Sequence, residues 1–150
     1  MRPMARIVDG TNRETALVVR AGLCAAIIIS GLALRGFGPG IGLPPLLVKY
    51  GGSLLWGTMV FFLVAIAAAN LSRQAVALMA VLIALGVEFF RLVHAPWLDA
   101  FRLTLPGALL LRRIFSPWNL LAYAAGIILG LLLDHLGAWA YVKARRVDGL

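Results

Sequence analysis

The sequence predicts an all-α integral membrane protein: a bundle of four transmembrane helices, with an interfacial or re-entrant segment between the third and the fourth. Three observations carry that prediction. Of the 150 residues, 62% are hydrophobic and 13% are charged, and mean hydropathy is +0.95. Soluble domains lie near half apolar and a quarter charged, and a soluble chain this short could not hide such an excess from water. The apolar residues fall in four runs, each close to the roughly 20 residues that cross about 30 Å of hydrocarbon. Finally, the fourteen basic residues that give the net charge of +8 lie mostly at the ends of those runs. That is where the positive-inside preference and anionic headgroups put them, and it leaves no free charged face for nucleic acid.

The first run covers residues 16–34, "ALVVRAGLCAAIIISGLAL". It could serve as a signal peptide cut after the small residues Gly31 and Ala33. Arg20 interrupts the apolar core that such a peptide needs, so a retained helix is expected. Cys24, the single cysteine, excludes an intramolecular disulfide and reads as a small packing residue. "GFGPGIGLPPLLVKY" then breaks the helix with glycines and prolines. The second run is residues 52–69 and the third is residues 75–93, "AVALMAVLIALGVEFFRLV". Residues 96–117 follow, with Pro106-Gly107 in the middle of "LTLPGALLL". Irregular backbone at membrane depth must be sheltered by protein, which favours an interfacial or re-entrant segment over a fifth crossing. The last run, residues 118–139, has tryptophan at both ends, where interfacial anchors belong.

This divides the chain into a basic N-terminal tail (1–15), one membrane domain (16–140) and a basic C-terminal tail (141–150). Four spans put Arg2, Arg6, Arg13, Arg73, Lys143, Arg145 and Arg146 on one side of the membrane. Arg35, Lys49, Arg91, Arg102, Arg112 and Arg113 fall on the other. The margin is narrow, but the basic tails favour both termini in the cytoplasm.

An ionisable residue within a span is a functional candidate, because each costs about 2.5–3.5 kcal/mol at the helix centre on insertion scales. Glu88 is the strongest case, roughly 20 Å along the third helix from Ala75 at 1.5 Å per residue. Arg91 follows at i+3, so the two can pair, and Arg91 could equally snorkel outward with Glu88 as its neutralising partner. Asp99 and Arg102 repeat the spacing. If Pro96 turns the chain, the four charges meet near the outer interface. There they form either a headgroup site, with arginine forks oriented by the acids, or a closed network that pins the segment. His94 lacks clustered partners, and no metal site or cofactor is expected. Arg20 and Asp134 fall at similar depth and could pair across helices. Gly126 and Gly130 give a small-residue spacing that serves helix packing within the protein first and a homodimer second. The zinc-protease, nucleophile-elbow and paired-cysteine motifs are absent from the sequence.

The order of "KYGGSLLW", "EFFRL", "PWLDAFRLTLPGALLL" and "FSPWNLLAYAAG" resembles a bacterial family of small membrane proteins of unknown function, domain of unknown function family 2809. More remotely the chain looks VanZ-like, with an acid late in one helix and a polar loop after it. The resemblance implies the architecture above. It adds weight to Glu88, Trp97, Asp99, Arg102, Thr104 and Tyr123, which fall on motif positions. It also implies departures, since an acid is usual where this chain has Ser53, a glutamine at Arg91 and an aspartate at Asn119. Proton transfer that needed those acids would be lost or altered here, whereas binding of an anionic group would survive.

The leading expectation is therefore a non-enzymatic envelope protein that binds an anionic lipid or envelope-precursor headgroup. Glu88, Arg91, Asp99 and Arg102 would hold it, with Trp97, Thr104, Asn119 and Tyr123 in support and Trp118 as a further anchor. Alternatives are a small dimeric transporter with Glu88 as the coupling acid, or a structural subunit of a membrane complex. An enzyme comes last, because nothing marks a nucleophile.

Overall fold

The computed structural model describes residues 3–90, 92–93, 95–104 and 116–148, with side chains between residues 13 and 143 except those of 102, 141 and 142. The described residues form five helices: α1 (Pro3–Phe37), α2 (Pro45–Ala67), α3 (Arg73–Phe90), the short α4 (Pro96–Arg102) and α5 (Pro117–Asp148). Helices α1, α2, α3 and α5 are each long and apolar enough to cross a membrane, and the apolar part of α1 runs Arg13–Phe37. Helical backbone continues into the segments expected as tails, from Pro3 and as far as Asp148.

The start of α2 also departs from expectation. It begins at Pro45, seven residues before the apolar run that marks the span in the sequence. Proline in the first turn gives up no helical hydrogen bond, and its fixed φ suits the helix start. Pro44 before it is extended, at φ −55° and ψ 135°, and its carbonyl accepts from Leu47 and Val48 N–H. The prolines therefore end the turn and start the helix. Gly42 provides the turn's left-handed residue at φ 79°, a conformation that costs a residue with a Cβ.

The helices alternate in direction. Arg20 meets Ala65, Gly31 meets Leu55, and Gly51 meets Leu34, the constant sum of an antiparallel pair. Gly57 meets Tyr123 and Gly130 meets Phe61, the near-constant offset of a parallel pair. Thus α2 and α5 run in the same direction and make the most extensive contact in the bundle. Helix α1 packs on α2, α3 packs on both α2 and α5, and α1 does not meet α3. One end of the bundle, here the tail end, holds the α2–α3 turn and the far end of α5. The other, the loop end, holds the α1–α2 turn, α4 and the start of α5.

Glycine brings α2 and α5 this close. A Cβ on Gly126 would run into the Leu54 carbonyl oxygen, and one on Gly57 would lie 2.6 Å from the Tyr123 carbonyl oxygen. The Thr58 hydroxyl sits between the two backbones, 2.8 Å from the Gly126 carbonyl and 3.0 Å from that of Leu54. Gly130 lies flat against the Phe61 ring. The small-residue spacing on α5 is thus used inside the protomer. Below it, Phe61 and Phe62 pack edge to face at 5.4 Å, together with Val60, Ala80, Ala84 and Ile127. The buried face of α3 is the i+4 row Val76, Ala80, Ala84 and Glu88. Many large apolar side chains point outward, among them Ile29, Leu78, Leu121 and Ile128, as a lipid-facing surface requires. Trp118 and Trp139 are both exposed, and a helix separates them by roughly 31 Å at 1.5 Å per residue, the span of the hydrocarbon.

The expected pairing of Arg20 with Asp134 is present at the tail end. Arg20 Nε and Nη2 donate to Oδ1 and Oδ2 of Asp134 at 2.7 and 3.1 Å. Arg20 Nη1 donates to the Ala65 carbonyl at 2.9 Å, one of the last carbonyls of α2, which lack helical partners. Arg73, at the first position of α3, adds a third donor through Nε at 2.7 Å from Oδ2. One carboxylate thus ties α1, α3 and α5 together.

The connection from α3 to α5 contains α4 and residues 105–115, which lie outside the described residues. Its two ends are fixed at one place: the Ser116 N–H donates to Glu88 Oε1 at 2.9 Å. A single crossing would deliver α5 to the tail end instead, so the connection makes no net crossing.

Two stability outcomes follow from this packing. Replacing Gly126 by Ala should destabilise the folded protein in detergent by about 1–3 kcal/mol through overpacking against backbone. Gly22→Ala on α1, where a Cβ meets nothing within 4 Å, should be neutral or stabilising by up to about 1 kcal/mol. Thermal unfolding of the two variants side by side checks the contrast. Asp134→Asn should lose about 3 kcal/mol, since it leaves two arginines without their shared counter-ion. The same measurement on Arg73→Gln should show no more than about 1 kcal/mol, because that side chain is 41% exposed.

Candidate functional site

The loop-end cluster begins with Glu88, which is 0% exposed. It comes inward because it continues the i+4 row of small residues on α3, and that row faces α2 and α5. One carboxylate oxygen, Oε1, takes two donors: the Ser116 N–H at 2.9 Å and Asn119 Nδ2 at 3.4 Å. Ser116 and Pro117 form the start of α5, a serine N-cap position followed by proline at N1. In a capping box the side chain three residues into the helix would reach back to the cap N–H. Here Asn119 occupies that position, but Glu88 from α3 takes the cap N–H and the Asn119 amide joins the same oxygen. The positive end of the α5 dipole favours a carboxylate there.

Asn119 passes the network on to α2. Its Oδ1 lies 3.3 Å from the Ser53 hydroxyl, which also lies 3.2 Å from the Lys49 carbonyl. Neither acceptor is a base that could activate Ser53 as a nucleophile. One turn further along α5, buried Tyr123 packs against Trp56 with ring centroids 4.8 Å apart. Ser53, Asn119 and Glu88 are thus linked in one buried cluster.

The other expected site residues are arranged differently. Arg91 and His94 lie outside the described residues, as does the side chain of Arg102, the last residue of α4. Helix α4 starts with Pro96 after extended Ala95 and anchors itself through buried Leu98. It leaves Trp97 70% exposed at the bundle edge, and Asp99 half-buried. The Thr104 hydroxyl donates to the Phe101 carbonyl at 2.6 Å, a local bond that closes the end of α4. Asn119 and Tyr123 therefore belong with Glu88, and Trp97 and Thr104 belong with α4.

Three residues of the loop end were not singled out from the sequence. Ser53 entered only as a departure from the motif pattern, and Ser116 was overlooked although Ser-Pro before an apolar run signals a helix start. Arg35 was counted only as a flanking charge. Its guanidinium folds inward over α2: a Cβ on Gly52 would lie 3.0 Å from Arg35 Nε. Below it, between α1 and α2, lies an apolar groove of about 120 Å³, lined by Ile28, Gly31, Leu32, Leu55 and Met59 with Arg35 at its loop end. No group of three or more His, Cys, Asp or Glu side chains that could hold a metal ion occurs among the described residues.

The charge and the acceptor role of Glu88 can be separated. Glu88→Gln keeps an oxygen for the Ser116 N–H and should retain most of the stability. Glu88→Ala leaves that buried N–H without this partner and should lose about 1–3 kcal/mol, read by thermal unfolding in the same detergent.

No curated protein and no solved structure matches the chain. A sequence model of one protein family does match, over residues 43–127, more than half of the chain. The matched segment runs from just before α2 through α3 and α4 to the first turns of α5, and so encloses the whole Glu88 cluster. With four helices able to cross a membrane and that match, the chain belongs to the family described as "Protein of unknown function (DUF2809)".

Proposed function

We propose that this protein is a non-enzymatic, multi-pass protein of the bacterial inner membrane that binds an anionic lipid, or a lipid-linked envelope precursor, at its loop end. The tail end, with both termini, faces the cytoplasm. The observation that carries the reading is the groove between α1 and α2, apolar along its length with Arg35 at its mouth. An acyl chain suits the apolar walls, and a phosphate at the membrane surface suits the guanidinium fork.

Two further features support it. Arg91, Arg102, Arg112 and Arg113 all belong to the connection that starts and finishes at the loop end, beside Arg35 and Lys49. Exposed Trp97 and Trp118 flank the same end, as interfacial anchors do. In this reading Glu88 does not touch the headgroup. It braces the start of α5 and with it the return of the arginine-bearing connection. The transporter alternative needs Glu88 to exchange protons with water, and its complete burial against the α5 N-terminus gives that alternative no support.

Native mass spectrometry from nanodiscs containing phosphatidylglycerol tests the proposal, with wild type compared with Arg35→Gln and Arg102→Ala. Wild type should retain the anionic lipid, and each variant should retain it at least tenfold more weakly. Identical lipid retention by all three would leave the loop end as a structural clasp, the mark of a subunit of a larger complex.

A further inference from the structure

A second polar opening lies at the tail end, on the opposite side of the bundle from the Glu88 cluster. It is an open cleft of about 590 Å³, lined by Arg20, Ser72, Arg73, Gln74 and His135 with Leu71 and Leu131 beneath them. Its polar groups come from α1, from the α2–α3 turn and the start of α3, and from α5.

The charges around it do not balance. Among the described residues, Arg20 and Arg73 share one acid, Asp134. Arg20 is used up, with its three nitrogens spread over Asp134 and the Ala65 carbonyl. Arg73 is not, because only its Nε is bonded to Asp134. Its two terminal nitrogens have no partner among the described residues, and its side chain is 41% exposed where it lines the cleft. The imidazole of His135, one residue from Asp134, has no partner among the described residues either and lines the same cleft. The Ser72 hydroxyl takes the Ala75 N–H at 3.2 Å and so caps α3. The N–H groups of Arg73 and Gln74, the first two of that helix, have no helical acceptor. Helix N-termini with such groups favour anions.

We propose that this cleft binds a phosphate-bearing anion, gripped by the terminal nitrogens of Arg73 and by His135, with the start of α3 behind it. The bound anion supplies the second negative charge that the two arginines lack. Asp134 is then a positioning residue, since it holds Arg73 by Nε and turns the rest of the guanidinium outward. The site does not depend on the loop-end reading. Arg20, Asp134 and His135 all lie outside the segment matched by the family. The phosphate could come from a lipid headgroup of that leaflet or from solution.

The test uses the full chain in phosphatidylcholine nanodiscs, carrying Arg35→Gln so that a loop-end lipid does not contribute. In one arm phosphatidylglycerol is added to the nanodiscs and bound lipid is counted by native mass spectrometry. In the other, inorganic phosphate is titrated and binding is followed calorimetrically. Adding Arg73→Gln should weaken the binding at least tenfold while the unfolding temperature stays within a few degrees, because the Arg20–Asp134 pair remains. His135→Ala, which touches no ion pair, should weaken it several-fold and guards against a folding defect in the first variant. Binding in the lipid arm alone makes the ligand a headgroup, and binding of inorganic phosphate alone makes it a soluble phosphate. Absence of binding in both arms, or equal binding with and without Arg73, overturns the proposal.

Discussion

The rest of the bundle hangs on the contact between α2 and α5, where glycines let two helix backbones approach closely. In lipid there is no hydrophobic gain from pressing one apolar helix against another, so close packing and hydrogen bonds must hold them. Gly57 and Gly126 bring the backbones together, and the Thr58 hydroxyl bonds across to the Gly126 carbonyl. Because α2 and α5 run in the same direction, the connection between them must cross the membrane once more. Helix α3 makes that crossing and packs in the angle between them. Helix α1 takes the far side of α2 and leaves most of its surface to lipid.

Helix α5, held this way, carries a polar group to each end of the bundle. Its first residues present the Ser116 N–H and the Asn119 amide to Glu88, and its far part presents Asp134 to Arg20 and Arg73. Without water in the hydrocarbon, such groups must find partners within the protein. The two ends solve this differently. At the loop end the donors to the acid among the described residues are the neutral Ser116 N–H and Asn119 amide. At the tail end the acid is outnumbered by cations, and part of Arg73 is left facing an open cleft. An acid that is enclosed braces the fold, whereas a cation left partly exposed can take a ligand.

Much of this is legible in the sequence. The four apolar runs marked the four crossings because the thickness of the hydrocarbon fixes the length each must have. Arg20 and Asp134 could be paired by depth alone, since each lies a countable distance from a span end. Glu88 stands out in the sequence because an acid in an apolar run is costly. Depth along a helix is a local quantity, read from spacing.

What the sequence by itself determined, then, was the number of crossings, the depth of each polar residue and the family to which the motif blocks point. Only the tertiary structure decided which residues meet. Nothing in the spacing says that α5 lies parallel to α2 at glycine distance, and that contact brings Ser53 to Asn119 and leaves Glu88 to cap a helix other than its own. Nor does it say that Arg73, at the start of α3, reaches the same carboxylate as Arg20, or that Arg35 folds inward over Gly52. Those pairings depend on the rotation of each helix about its axis and on which neighbours it has. Both are set by the small-residue contact between α2 and α5, a property of two helices together that neither segment shows alone.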